Sequence, residues 1–165
     1  MTTSNRPGFT LIELLIALTI LSILAALAIP LAGDSDSLRL DAAERLLTSD
    51  IEHTQILAIT HPEDEYALVI HDDGTGWHIA RTEDPETPVL ETETLDPLIL
   101  SIGTGRGTPA EGVLIETNAA NNMITFDQNG GLIDFTIETT LRMRIRERED
   151  QLTISSSTGA ITYGD

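Results

Sequence analysis

Cysteine is absent from the 165 residues. That excludes disulfides, thiolate metal sites, cysteine nucleophiles and lipidated cysteine anchors. It leaves the compartment open, because a cysteine-free chain suits either side of a membrane. Lysine is absent too, and all nine basic residues are arginine, against 27 Asp and Glu. The resulting net charge of −18 repels polyanions on average, so nucleic acid or anionic lipid would need a local basic patch. Aromatic residues are only 4% of the chain, yet hydrophobic residues reach 41%, which excludes a wholly disordered polypeptide. Motifs of catalysis are missing as well. There is no Gly-x-Ser-x-Gly, no His-Glu-x-x-His and no defensible triad order. Nothing here implies an enzyme or a cofactor.

What is present is distributed unevenly. Leu14 to Gly33 carries no charge over 20 positions, and only Thr19, Ser22 and Pro30 interrupt its apolar character. As a helix the run spans about 30 Å, a bilayer core. The remainder is polar, acidic and globular in composition. The run admits three readings. It is a secretory signal with Ala26-Leu27-Ala28 as cleavage site, a plain anchor, or a span whose one carboxylate, Glu13, has a job. An isolated Glu near the start of a span can also snorkel to water. Pro30 and Gly33, followed by Asp34-Ser35-Asp36-Ser37, predict a kink or simply the end of the span.

The residues around Glu13 discriminate among these. Pro7-Gly8-Phe9-Thr10-Leu11-Ile12-Glu13-Leu14-Leu15 and the apolar run after it resemble the class III leader of type IV pilins and type II secretion pseudopilins. The resemblance implies that prepilin peptidase cuts between Gly8 and Phe9, that Phe9 is then N-methylated, and that Glu13 serves subunit assembly. The leader, with Arg6, stays cytoplasmic. Glu13 of one subunit would neutralise the new amine of a neighbour, a charge that costs several kcal/mol if left unpaired in an apolar packing. Expected segments are a leader at 1–8, a transmembrane and assembly helix at 9–32, an amphipathic helix at 33–61 and a periplasmic β-sheet domain at 62–165.

A second helical pattern follows. Leu40, Ala43, Leu47 and Ile51 fall at spacings of three and four, with Leu46, Leu57 and Ala58 widening the stripe. Asp36 or Ser37 is its expected cap, and Pro62 its stop. His53 and His61 are read as surface or helix-end residues. Strands are expected at Tyr66–His71, Trp77–Ala80, Leu98–Ile102, Ile124–Asp127, Leu132–Ile137, Leu141–Ile145, Leu152–Ser155 and Ala160–Tyr163. Asn129-Gly130-Gly131 signals a hairpin. Pro85, Pro88 and Pro97 break a loose, acidic stretch around Val89–Leu95, and Gly103 to Pro109 is read as a flexible loop. Asp127-Gln128-Asn129-Gly130 matches part of a calcium loop without its other ligands, and the Gly103–Gly107 run lacks the Lys of a phosphate loop.

The order of strands, Gly76-Trp77, the Phe126-to-Gly130 turn and the closing Thr158-Gly159 resemble type II secretion minor pseudopilin H and fimbrial-T-type minor type IV pilins. That resemblance implies an α+β, type IV pilin-like fold, with a long N-terminal helix on a C-terminal antiparallel sheet. It implies a minor pseudopilin of a type II secretion system or, as alternative, a minor pilin of a type IV pilus or DNA-uptake machine. The implied location is the inner membrane, single-pass, with a periplasmic C-terminal domain. Implied partners are prepilin peptidase, other pseudopilins or pilins, and an inner-membrane assembly platform.

One further pattern stands out. Arg142, Arg144, Arg146 and Arg148 alternate with Met143, Ile145 and Glu147, so a strand would place all four on one face. They are read as pairing with acids such as Asp134 or Glu138, as a docking strip for an acidic subunit, or as a track for nucleic acid phosphates. The acidic, lysine-free surface fits a saline habitat, with base composition as the competing explanation for the missing lysine.

Overall fold

The computed structural model describes residues 10–28, 35–134 and 138–164. The chain divides into two compact units, Met1–Asp34 and Ser35–Asp165.

In the first unit, helix α1 covers Leu11–Ala28. It has no polar face to turn toward water. Leu11, Leu14, Ile16, Leu18, Leu21 and Leu24 are all more than half exposed. An all-round apolar helix needs an apolar surrounding. Its two hydroxyls are satisfied internally: Thr19 Oγ1 donates to the Leu15 carbonyl, and Ser22 Oγ to that of Leu18 at 2.8 Å. Eighteen residues rise about 27 Å, just short of a bilayer core. Among the described residues no helix is long and apolar enough to cross a membrane. The uncharged run continues past Ala28 to Gly33, and Pro30, where the kink was expected, lies outside the described residues.

In the second unit, helix α2 (Ser35–Thr60) buries the anticipated stripe of Leu40, Ala43, Leu47, Ile51 and Ala58, with Leu46 and Leu57 partly buried beside it. It begins at Ser35, ahead of the expected caps. Asp36 therefore sits inside the first turn, not at the cap position, and its carboxylate accepts from Arg146 Nη1 at 2.8 Å.

The helix packs on two antiparallel sheets. The first runs β3 (Asp84–Pro88), β2 (Gly76–Arg81), β1 (Tyr66–Ile70), β6 (Met123–Phe126), with β4 (Ile99–Ser101) also on β2. The second runs β5 (Leu114–Thr117), β7 (Thr139–Ile145), β8 (Arg148–Ile154), β9 (Ile161–Gly164). Trp77, Ile79 and Leu68 from one, and Leu141, Met143 and Leu152 from the other, close the core against α2. The sheets meet where Ile115 N–H donates to Gly74 O at 2.9 Å. Gly74 has φ +69°, and a Cβ there would lie 2.7 Å from the Ile115 carbonyl, so only glycine allows this approach.

Three expectations need correction. The stretch around Val89–Leu95 is irregular as expected, but Asp84–Pro88 just ahead of it forms β3, which was not foreseen. It is an edge strand joined to β2 across a register shift, where proline's missing N–H costs no ladder bond. Strand β5 was not foreseen, its four residues being too few to show alternation. Conversely, the arm beyond the Asn129 turn pairs with β6 only briefly, Leu132 bridging Phe126 and Ile133 N–H donating to Thr125 O at 3.0 Å, while Leu132 N–H donates to Ser156 O at 3.1 Å. Phe135–Ile137 lie outside the described residues.

Leu47 is fully buried and Leu38 is 63% exposed on the same helix. Leu47→Ala should lower unfolding free energy by about 3 kcal/mol in urea titrations, and Leu38→Ala by less than about 0.5.

Candidate functional site

The sequence directs attention to three places, and the structure treats each differently. Gly8 and Phe9, the expected cleavage and methylation site, lie outside the described residues. Glu13 is described. Thr10 N–H and Oγ1 donate to its Oε2 at 2.9 and 2.8 Å, and Glu13 N–H donates back to Thr10 Oγ1 at 3.3 Å. This is a capping box: Thr10 caps the helix and Glu13 closes it reciprocally, serving N–H groups that α1 would otherwise leave bare. The Thr-x-x-Glu spacing was legible in the sequence and was overlooked beside the charge-pairing role.

The arginines do not form one stripe. Arg142 and Arg144 lie on the exposed face of β7. The strand then ends: Arg146 and Glu147 make the two-residue turn into β8, with Arg146 at φ +53°. Arg148 opens β8 opposite Ile145 and so belongs to the other face. The recorded partners also differ from those expected. Arg142 approaches Glu149 at 3.7 Å, Arg144 approaches Glu116 at 3.4 Å, and Arg146 meets Asp36 at 2.8 Å. Neither Asp134 nor Glu138 is the partner of these three. The first two pairs are half exposed at both ends, and such pairs contribute at most about 1 kcal/mol. A hairpin turn without Gly or Asn left no sign that the alternation would break.

The Gly103–Pro109 loop is pinned. Arg106 Nη2 donates to both oxygens of Asp50, at 2.8 and 2.6 Å. Asp50 is buried on α2 and also accepts from Trp77 Nε1 at 2.8 Å. One carboxylate therefore joins helix, sheet and loop. The partial calcium pattern resolves into turn chemistry, since Asp127 Oδ1 accepts from Asn129 N–H and Gly131 N–H at 2.8 and 3.0 Å. Among the described residues no three His, Asp or Glu side chains gather to hold a metal.

A histidine pair escaped the sequence reading. His71 Nε2 lies 3.2 Å from His78 Nδ1, and His78 Nε2 lies 2.8 Å from Pro85 O. The carbonyl can only accept, so His78 carries its proton on Nε2 and His71 donates from Nε2 to His78 Nδ1. Burial, then the neighbouring His78, hold the His71 imidazole below its ordinary pKa, with Asp73 and Asp72 opposing.

Residues 3–29 match the sequence profile of the prokaryotic N-terminal methylation motif. No curated protein sequence matches the chain. Among solved structures it is similar to the type IV minor pilin FimU of Pseudomonas aeruginosa strain PAO1, at 23% identity and TM-score 0.52, over 76% of this chain and 87% of that one. A second crystal form of FimU gives 21% and 0.50, over 76% and 91%. The minor pseudopilin EpsH of the Type 2 Secretion System of Vibrio cholerae is similar at 9% identity and TM-score 0.53, over 79% and 96%. At such identities the likeness is one of fold. The fold is α+β and type IV pilin-like, and the chain carries a prepilin-type methylation motif at its start.

Two predictions follow from this geometry. Asp50→Ala should cost about 2–4 kcal/mol, because it strands the buried Trp77 N–H, whereas Asp50→Asn retains an acceptor and should cost less. Trp77 is the single tryptophan, so its fluorescence reports both variants directly in urea. For His71, a folded-state pKa depressed below 6.5 means the unfolded chain takes up protons first. Its contribution is complete above that value and is lost progressively as pH falls below it. Unfolding free energy should therefore drop as pH falls below about 6.5, and His71→Gln should flatten the drop.

Proposed function

We propose that this protein is a non-catalytic minor subunit of a type II secretion pseudopilus. It enters the inner membrane through residues 9–32, loses residues 1–8 to prepilin peptidase, and is N-methylated on Phe9. It then joins other pseudopilins on an inner-membrane assembly platform, with its sheet domain in the periplasm. The observation that carries this reading is the coincidence of the methylation motif over residues 3–29 with a fold like that of minor pilins and pseudopilins. The apolar, uncovered α1 supports it: its exposed leucines require lipid or neighbouring helices. The likeness to FimU supports a second reading, a minor pilin of a type IV pilus.

Glu13 has two separable roles in this proposal. Closing the capping box needs a hydrogen-bond acceptor, while neutralising a neighbour's N-terminal amine needs a charge. Glutamine supplies the first and lacks the second. Glu13→Gln should leave processing and methylation intact and abolish incorporation into filaments, scored by sheared-fraction immunoblot and mass spectrometry of the mature N-terminus. Normal incorporation of Glu13→Gln would overturn the charge role.

The machine is tested by a clean deletion scored in parallel for exoprotein secretion and for twitching or DNA uptake. Exoproteins trapped in the periplasm, with motility and uptake intact, are the expected result. The reverse pattern would move the protein to the pilus.

A further inference from the structure

Strand β9 is the last strand of its sheet, and among the described residues nothing pairs with its outer side. Which backbone groups face outward follows from the ladder. Ser155 N–H donates to Ala160 O at 2.9 Å, so this position of the ladder carries a hydrogen bond. Antiparallel pairs alternate, so Thr153–Thr162 and Gln151–Gly164 exchange hydrogen bonds as well. The N–H and C=O groups of Ile161 and Tyr163 are then directed away from β8.

The side chains of these two residues tell a second part. Ile161 is opposite Ile154 and Tyr163 opposite Leu152, both fully buried, so all four point to the face that α2 covers. Yet Tyr163 is 56% exposed. The sheet extends past the helix there, leaving a groove of about 340 Å³ between α2 and β9, whose floor includes Thr48, Glu52, Ile59, Ile161 and Tyr163. Ile59 is itself 49% exposed. Within the groove, Thr48 Oγ1 is buried and has no hydrogen-bond partner among the described residues. An added strand beside β9 would place alternate side chains into this groove, over Tyr163 and Ile59.

Charge selects the occupant. Glu52 lines the groove, and Glu44 lies one helical turn from Thr48 on the same face. Burial, then Asp150 of β8 and Asp41, hold the Glu44 carboxyl above its usual range, against the opposing effect of Arg45. Carboxylates thus crowd the β8 side of the groove, which favours cations. A second copy of a chain with net charge −18 would be repelled.

We propose that the outer edge of β9 and the groove beside α2 form a strand-addition site for an extended basic segment of a different protein. Such a segment would alternate apolar and Arg or Lys side chains. Its backbone would pair with Ile161 and Tyr163, and its inward Arg or Lys side chains would lay their apolar stems over Tyr163 and Ile59 and carry their charges to Glu44, Glu52 and Asp150, its apolar residues facing the other side of the sheet. The inference goes beyond the filament reading and does not depend on leader processing.

Amide hydrogen exchange on the full chain in detergent micelles tests it. The probe is an end-capped alternating Arg-Val peptide of about eight residues, within the usual length of a strand. Exchange at Ile161 and Tyr163 should slow about tenfold or more when the peptide is present. A Glu-Val peptide, and an Arg-Val peptide N-methylated along one edge, should have no effect. Ile161→Pro removes one outward donor at the first position of an edge strand, where proline is tolerated. It should abolish the slowing while Thr162 and Gly164 keep their own protection, showing that β9 remains folded. The proposal is overturned by unchanged exchange with the Arg-Val peptide, by equal slowing with the Glu-Val peptide, or by slowing that survives N-methylation. Protection of Ile161 and Tyr163 through self-association without peptide, detected by sedimentation, would assign the edge to a second copy and also overturn it.

Discussion

A carboxylate at the position of Asp50 has to be surrounded by donors, because a buried charge without them costs several kcal/mol. The donors come from three separate parts of the chain. Its own helix brings Asp50 to the core-facing stripe, β2 brings the Trp77 indole, and the glycine-rich loop brings the Arg106 guanidinium. Satisfying this one group therefore sets where β2 crosses the helix and how the loop closes over it. Thr54 Oγ1, also fully buried, bonds back to the Asp50 carbonyl at 2.7 Å and keeps that turn of the helix from needing another partner. The surrounding apolar residues supply most of the adhesion, being numerous and fully buried. Asp50 supplies direction, which apolar contact lacks.

How much of this was legible depends on the length over which a pattern repeats. The α2 stripe runs through several turns, and its apolar members are those the periodicity identifies. Asp50 and Thr54 occupy the same buried stripe but read as polar, and only the structure shows their partners. The Tyr66–Ile70 and Gly76–Arg81 hairpin was visible because a glycine-rich turn separates two apolar runs. Strands β3 and β5 were not, one for its prolines and the other for its brevity. The arginine alternation misled for a physical reason. Alternation defines a face only while the strand lasts, and the turn at Arg146 and Glu147 has neither residue type that normally announces one. Arg146 instead reaches Asp36, a contact separated by more than a hundred residues and invisible to any local pattern.

The two compact units solve opposite problems. Residues 35–164 hide their apolar surface internally, between one helix and two sheets. Helix α1 hides none of its described side chains and has an acidic residue in its first turn where the capping box needs one. A helix of that kind is stable only in lipid or among other helices. Its backbone start is already satisfied by Thr10 and Glu13, so packing into either environment leaves few bare N–H groups at the end where the motif lies.

The distribution of charge follows the same division of labour. Arginine is scarce, and several of the nine are committed to particular acids: Arg106 to Asp50, Arg146 to Asp36, Arg81 to Asp64 at 2.9 Å. At Asp50 a single guanidinium nitrogen, Arg106 Nη2, serves both carboxylate oxygens. Committing cations to the acids nearest the core leaves the excess carboxylates outside, where water solvates them. Around Glu44 and Asp150 that excess crowds one place instead of spreading evenly, and burial there raises the Glu44 carboxyl. A protein that needed only solubility would have no reason to gather acids beside an open strand edge. Gathering them there disfavours pairing between like copies through that edge, which is the hazard any uncovered strand presents.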